Sequence, residues 1–201
     1  MIKILLLLSF FALSLNAGLA KSHFSLGFNK ALKDTQDRNG KVDDKPYSPY
    51  IAWGSHFKIA DSRFGFSPQL GYIHTTQTAN DSFGKQKIHT VFLHWDFLYV
   101  PEFSDQFAFR FGIGNFVKRT SGEGGTVTIP NGSGTSTARR PSGTSNSYSS
   151  TFNFGADYNF NLAMADSWIT DLGIRFETFI FRPLSQEYRN YAFNLGLLMY
   201  Y

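Results

Sequence analysis

The sequence contains no cysteine, and only 17% of its 201 residues are charged, against about 25% in a typical soluble domain. The missing cysteines exclude a disulfide framework and any thiolate-ligated zinc or iron–sulfur centre. After residue 20 there is no apolar run near the ~18 residues of a spanning helix, so the chain downstream has no transmembrane helix. Charge of one sign is also scarce. The formal net charge is +4, a mild excess that does not call for a nucleic-acid partner. What is abundant is aromatic: 22 Phe, 10 Tyr and 3 Trp, with 18 Gly. Such a chain is too aromatic and too poor in charge to be disordered, and its length fits one domain rather than two.

Residues 1–20 read as an address. Lys3 is a positive start, Ile4 to Leu15 is an apolar run broken only by Ser9 and Ser14, and Gly18 and Ala20 offer small side chains before Lys21. This is the pattern of a secretory signal peptide, too short for a membrane anchor. Cleavage is expected after Ala20, with Ala17 the alternative, leaving 21–201 as the mature, exported domain.

Period two governs that domain. At the C-terminus Tyr191, Phe193, Leu195, Leu197, Met199 and Tyr201 alternate with Asn190, Ala192, Asn194, Gly196, Leu198 and Tyr200. Two unlike faces at period two define a strand. The greasy face runs far enough for a tilted strand, roughly 9–11 residues, to cross a bilayer. The same alternation recurs around Phe24–Phe28, Ile51–Ile59, Phe64–Tyr72, Val91–Tyr99, Phe107–Ile113, Phe152–Phe160 and Trp168–Phe176. Eight strands, an even number, are therefore expected. A soluble sandwich would also alternate. Here, though, one face is almost unbroken Phe, Trp and Tyr, while the other mixes Gly, Ala and Ser with scattered charges. That suits an eight-stranded membrane barrel with a narrow lumen. Two aromatic girdles are expected: Tyr99, Phe107, Tyr158, Phe160, Trp168 and Tyr201 at one rim, and Tyr47, Tyr50, Tyr72, Tyr148, Tyr188 and Tyr191 at the other.

The connections alternate in length. Residues 31–46, 78–86, 118–147 and 180–189 read as loops, and 60–63, 100–106 and 161–167 as short turns, as in outer-membrane barrels. Loop 118–147 is rich in Gly, Ser and Thr. Its Thr126–Ile129, Asn131-Gly132 and Thr135–Thr137 read as a small hairpin. Asp37-Arg38-Asn39-Gly40 is a turn signal without the carboxylate spacing of a calcium loop.

With these strands and turns, the mature chain resembles the small eight-stranded outer-membrane barrels of the OmpA, OmpX and OmpW kind, over nearly all of 22–201. Tyr201 behind Leu195, Leu197 and Met199 resembles the signal read by the barrel-assembly machinery, although Met199 stands where an aromatic is common. The resemblance implies a monomeric all-β, antiparallel, up-and-down transmembrane barrel in the outer membrane of a Gram-negative bacterium, surrounded by lipid and lipopolysaccharide.

Three groups of residues are candidates for function. By parity Asp96, Arg110, Asp157, Asp171, Arg175 and Glu177 all point inward, most at a similar depth. Unpaired charges there would be costly, so a luminal charge network is expected, with a gate or narrow polar path as the alternative. Lys118, Arg119, Arg139 and Arg140 face only Glu123 in loop 118–147, a set suited to lipopolysaccharide phosphates. His23 and Ser25 share a face, as do His94 and Asp96. His23-Phe24-Ser25 is similar to the His–x–Ser element of lipid A deacylases of the PagL type only as three letters, and no Glu is placed beside it. No amphipathic helix precedes the strands as in the palmitoyl-transferring PagP type. No metal spacing appears in the sequence, and no cofactor or catalytic residue is expected. The expectation is thus a filled-lumen barrel, structural or acting through its surface loops. The alternatives are a narrow channel or carrier for small or apolar solutes, then a lipid A-modifying enzyme.

Overall fold

The computed structural model describes residues 21–31, 47–59, 61–78, 85–132, 134–140, 142–162, 167–184 and 189–201. Residues 1–20 lie outside the described residues, as do Asp37–Gly40 and Tyr188. Among the described residues there are ten strands and no helix: β1 (Lys21–Ala31), β2 (Ser48–Lys58), β3 (Phe64–Thr78), β4 (Lys85–Tyr99), β5 (Phe107–Gly122), β6 (Gly125–Asn131), β7 (Gly134–Arg140), β8 (Gly143–Asn159), β9 (Asp171–Phe181) and β10 (Asn190–Tyr200). Eight of them close into an antiparallel barrel in the order β1-β10-β9-β8-β5-β4-β3-β2, and β6 and β7 form a separate two-stranded sheet. Sequence neighbours pair by simple reversal, and the barrel closes where β1 meets β10, from His23↔Tyr200 to Ala31↔Ala192.

The period-two pattern lands on two surfaces. The outer wall exposes Leu26, Phe28, Ile51, Trp53, Leu70, Val91, Phe111, Ile113, Phe154, Phe176, Leu195 and Leu197. The start of β1 and the end of β10 lie with the short turns at one end of the barrel, where Trp53 Nε1 donates to Tyr201 Oη at 2.6 Å and Tyr201 lies beside Phe24 and Trp168. At the opposite, loop end, Tyr47 accepts Lys30 Nζ over its ring at 4.8 Å.

Four expectations need correction. Tyr50 is not a girdle residue. It stands inside the barrel, with its hydroxyl 2.8 Å from Ser25 Oγ, because it shares parity with Ala52 and Gly54. Trp168 precedes β9 and is not part of it. Loop 118–147 is much shorter than expected: β5 continues to Gly122, β8 resumes at Gly143, and the hairpin β6–β7, turning between Asn131 and Gly134, lies between them. Lys118 and Arg119 are therefore strand residues. Likewise β3 and β4 pair as far as Thr78↔Lys85. Polar residues can extend a ladder because its hydrogen bonds are made by backbone.

The fourth correction concerns the lumen, which is not lined only by small residues and charges. Toward the loops it holds a buried cluster of Phe92, Phe116, Phe179, Ile73, Tyr50, Ala52 and Ala192. Phe92 and Phe116 stack at 5.3 Å between centroids, and Phe179 meets Phe116 edge-on at 5.4 Å. Room for Phe92 comes from its cross-strand partner Gly71, where a Cβ would overlap the Phe92 ring. Gly71→Val should therefore overpack this layer and cost about 1–3 kcal/mol, read as a lower denaturant midpoint. Gly143→Val, where a Cβ meets nothing within 4 Å, should leave the midpoint unchanged.

Candidate functional site: a buried charge layer above an open vestibule

Below the aromatic layer, toward the turn end, the barrel holds a layer of charge. Arg110 from β5 donates through Nη2 to Asp96 Oδ2 at 2.6 Å and through Nη1 to Asp157 Oδ2 at 2.8 Å. Arg175 from β9 grips Asp157 with two bonds, Nε to Oδ1 and Nη2 to Oδ2, each 2.8 Å. Both guanidiniums also donate to Gln69 Oε1. Glu177 Oε1 lies 3.3 Å from Arg110 Nε and 4.0 Å from Arg175 Nε. Asn153 Nδ2 donates to Asp96 Oδ1 at 3.2 Å. All five charged side chains are buried, Arg175 completely.

The strands explain why this layer fits. Side chains of this length meet in so narrow a lumen only where the neighbouring strand leaves space. Arg110 is paired with Gly155, Asp96 with Gly112, Arg175 with Gly196 and Glu177 with Gly155. A Cβ at Gly112 would overlap Asp96, and one at Gly155 would crowd Glu177. The Asp157↔Arg175 pair is directly cross-strand, the closest approach two side chains have on one face of a sheet.

Of the six inward charges read from parity, the structure brings five together: Asp96, Arg110, Asp157, Arg175 and Glu177. Asp171 is buried but stands apart. Its Oδ1 accepts the Leu162 and Leu172 backbone N–H groups at 2.9 and 2.8 Å, so it ties down the start of β9. Gln69, Asn153 and His56 were not counted among the charge-layer residues. Parity already turned them inward, but their depth depends on register, which one strand's sequence does not carry.

His23 and Ser25 do not form a nucleophile–base pair. Ser25 bonds Tyr50, and neither ring nitrogen of His23 has a hydrogen-bond partner among the described residues. The His23 ring packs against His56 at 4.4 Å and Tyr200 at 5.8 Å. Below lies a vestibule of about 660 Å³ at the turn end, lined among others by Lys21, His56, Arg63, Asp105, Asp157 and Tyr200.

Lys118 and Arg119 are exposed near the end of β5, Arg119 at the outward parity of Ile113 and Lys118 at the inward parity of Phe116, with Arg119 paired to His89 and Lys118 to Thr90. Arg139 and Arg140 return along β7 opposite Thr126 and Gly125, at the hairpin's base. Along β10 toward the turn end, Leu195, Leu197 and Tyr201 are exposed on the outer wall, and Met199 is half-buried.

No protein-family model matches the chain, and no curated protein matches its sequence. Solved structures do resemble it. Ail, the attachment invasion locus protein of Yersinia pestis, aligns over 90% of this chain and 99% of its own at 10% identity, with a TM-score of 0.54. Neisserial surface protein A aligns over 90% of this chain and 95% of its own at 10% identity and TM-score 0.48. The N-terminal barrel domain of Pseudomonas aeruginosa OprF aligns over 90% and 97% at 9% identity and TM-score 0.42. At such identities the likeness with Ail is one of fold: the chain is a closed, all-β, eight-stranded antiparallel barrel similar to the small outer-membrane barrels.

Proposed function

We propose that the protein is an integral outer-membrane barrel with a filled lumen, working at the cell surface through the structure at its loop end. The observation that carries the surface role is the uneven height of the wall. β8 pairs with β5 from Gly143 onward, but its register with β9 begins only at Thr151. From Gly143 to Ser149, β8 is therefore hydrogen-bonded on one side only among the described residues. Such an edge accepts an extended segment of another protein by main-chain hydrogen bonding. The hairpin β6–β7 connects β5 to β8 at this end. A contiguous belt of exposed Phe, Leu, Ile and Trp on the outer wall is far larger than a soluble monomer shows, which supports placement in lipid.

The belt of lipid also gives the cations a partner. Arg119 and Lys87 point outward on adjacent strands, at diagonal positions across the His89↔Arg119 and Lys87↔Ser121 pairs. With Lys118, Arg139 and Arg140 they match the phosphates of lipopolysaccharide. Leu195, Leu197, Met199 and Tyr201 serve as the signal to the barrel-assembly machinery, and the barrel works as a monomer without a catalytic role. Ail was crystallised with the heparin analogue sucrose octasulfate, which makes sulfated glycans a second class of ligand to try here.

The test removes the projecting part and keeps the barrel. Lys118 and Ser147 are cross-strand partners, so residues 119–146 can be replaced by Asn-Gly, a two-residue hairpin turn. Purified protein in nanodiscs is screened against extracellular-matrix proteins and heparin. The intact chain should bind at least one, the shortened barrel none. Equal binding by both, or none by either, overturns the surface role. The vestibule favours a second reading, a narrow channel. In planar bilayers the filled lumen should give no discrete conductance steps, and reproducible steps would select the channel instead.

A further inference from the structure

Three carboxylates in the luminal layer face two guanidiniums, and the bonds are shared unequally. Asp96 and Asp157 take the short ones. Both oxygens of Glu177 lack a hydrogen bond among the described residues, although the side chain is buried. His94 is equally enclosed, and neither of its ring nitrogens has a hydrogen-bond partner among the described residues. Its ring lies flat on Phe92 at 4.5 Å and near Phe179 at 4.9 Å, in the notch left by its cross-strand partner Gly114, where a Cβ would overlap it. His94 therefore forms the boundary between aromatic and charge layers. A buried polar atom without a hydrogen bond costs free energy until it is satisfied, and Glu177 and His94 are among several such side chains in this lumen.

The two unsatisfied groups lie together. One ring nitrogen of His94 and one carboxylate oxygen each from Asp96 and Glu177 all fall within 4.8 Å of one another. We propose that His94, Asp96 and Glu177 form a luminal site for one divalent transition-metal cation, of the zinc or manganese class. An imidazole nitrogen with two carboxylate oxygens is a donor set that such ions accept, whereas calcium and magnesium favour oxygen alone. The cation gives Glu177 a direct ligand bond where Arg110 Nε stands no closer than 3.3 Å without a hydrogen bond, and it satisfies His94 at once. Asp96 remains bonded to Arg110 and Asn153, which orient its free lone pairs in the manner of outer-shell partners. The site also fastens β4 to β9 across the lumen, two strands that share no ladder. The vestibule reaches Asp157 and His56 but not these three residues, so loading is done during refolding.

The proposal stands apart from the surface role and is tested apart from it. Protein refolded with zinc chloride, then freed of loose metal by gel filtration, is assayed for bound zinc by mass spectrometry. One zinc per chain is expected. Glu177→Gln is isosteric and His94→Phe suits a ring stacked among phenylalanines, so both should fold. Each should lower retained zinc at least about tenfold, because even outer-shell losses cost 10–100-fold in affinity. Refolding with cobalt should give visible absorption bands that vanish in both variants. If one variant does not fold, the other decides. No zinc retained by the unaltered protein overturns the site. Zinc retained equally by both variants places the metal elsewhere, for example at His74 and His89 on the rim, and overturns it as well.

Discussion

Replacing Arg175 with alanine will lower the stability of the folded barrel by about 3–5 kcal/mol, the cost of breaking a buried ion pair by removing one partner. Arg175 carries two of the three guanidinium bonds to Asp157 and one to Gln69. Without it, three buried carboxylates share Arg110 alone. The loss is read from urea midpoints in lipid vesicles or from the temperature at which the folded band disappears on a gel. The double variant Arg175→Met with Asp157→Asn separates the ion pair from mere packing. Replacing both partners leaves Asp96 and Glu177 with Arg110, the same excess of one carboxylate as in the parent, so the double variant should be more stable than the sum of the single losses implies. A coupling of about 0.5–3 kcal/mol is expected. An Arg175→Ala barrel with an unchanged midpoint would remove the network from any account of this fold.

The second large effect belongs to the outer wall. Ile113 is 56% exposed and lies between Trp95 and Phe152 on the neighbouring strands. In water, Ile113→Arg at so exposed a position would change stability by less than about 0.5 kcal/mol. In a bilayer, the same arginine near the midplane costs about 2–4 kcal/mol. Folding of the variant into vesicles, followed by denaturant titration, distinguishes these outcomes. Thr126→Arg on the exposed hairpin serves as the control and should be neutral under both. An Ile113→Arg barrel as stable as the parent would mean that this wall does not meet lipid. The exposed belt would then need another cover.

Much of this architecture is legible in the alternation alone. Phe24, Leu26 and Phe28 against His23, Ser25 and Asn29 already show a strand with one greasy and one polar face. Eight such segments joined by alternately long and short connections imply a closed barrel and tell which side chains face in. The inward parity of Arg110, Asp157 and Arg175 is local information, because successive side chains of a strand must point to opposite faces. The same rule applied to Tyr50 turns it inward beside Ala52; reading tyrosines as interfacial by type alone placed it on a rim.

Depth and partnership are a different matter. Asp157 and Asp171 have the same parity, yet one is gripped by two arginines and the other caps a turn. The difference lies in how far each stands along its strand relative to the neighbours. Phe92, Phe116 and Phe179 are each inward by alternation, but only the pairing of β4, β5, β8 and β9 brings their rings to one level as a closed layer. His94 meets Glu177 across strands that share no ladder. The length of β5 and β8 beyond the apolar belt escaped the pattern too, because polar residues such as Lys118 and Asn146 continue a ladder as well as apolar ones do. Alternation is set by the chain's own geometry, residue by residue. Register is set by closing the barrel, where every strand must satisfy two neighbours at once, and only the tertiary structure decides that.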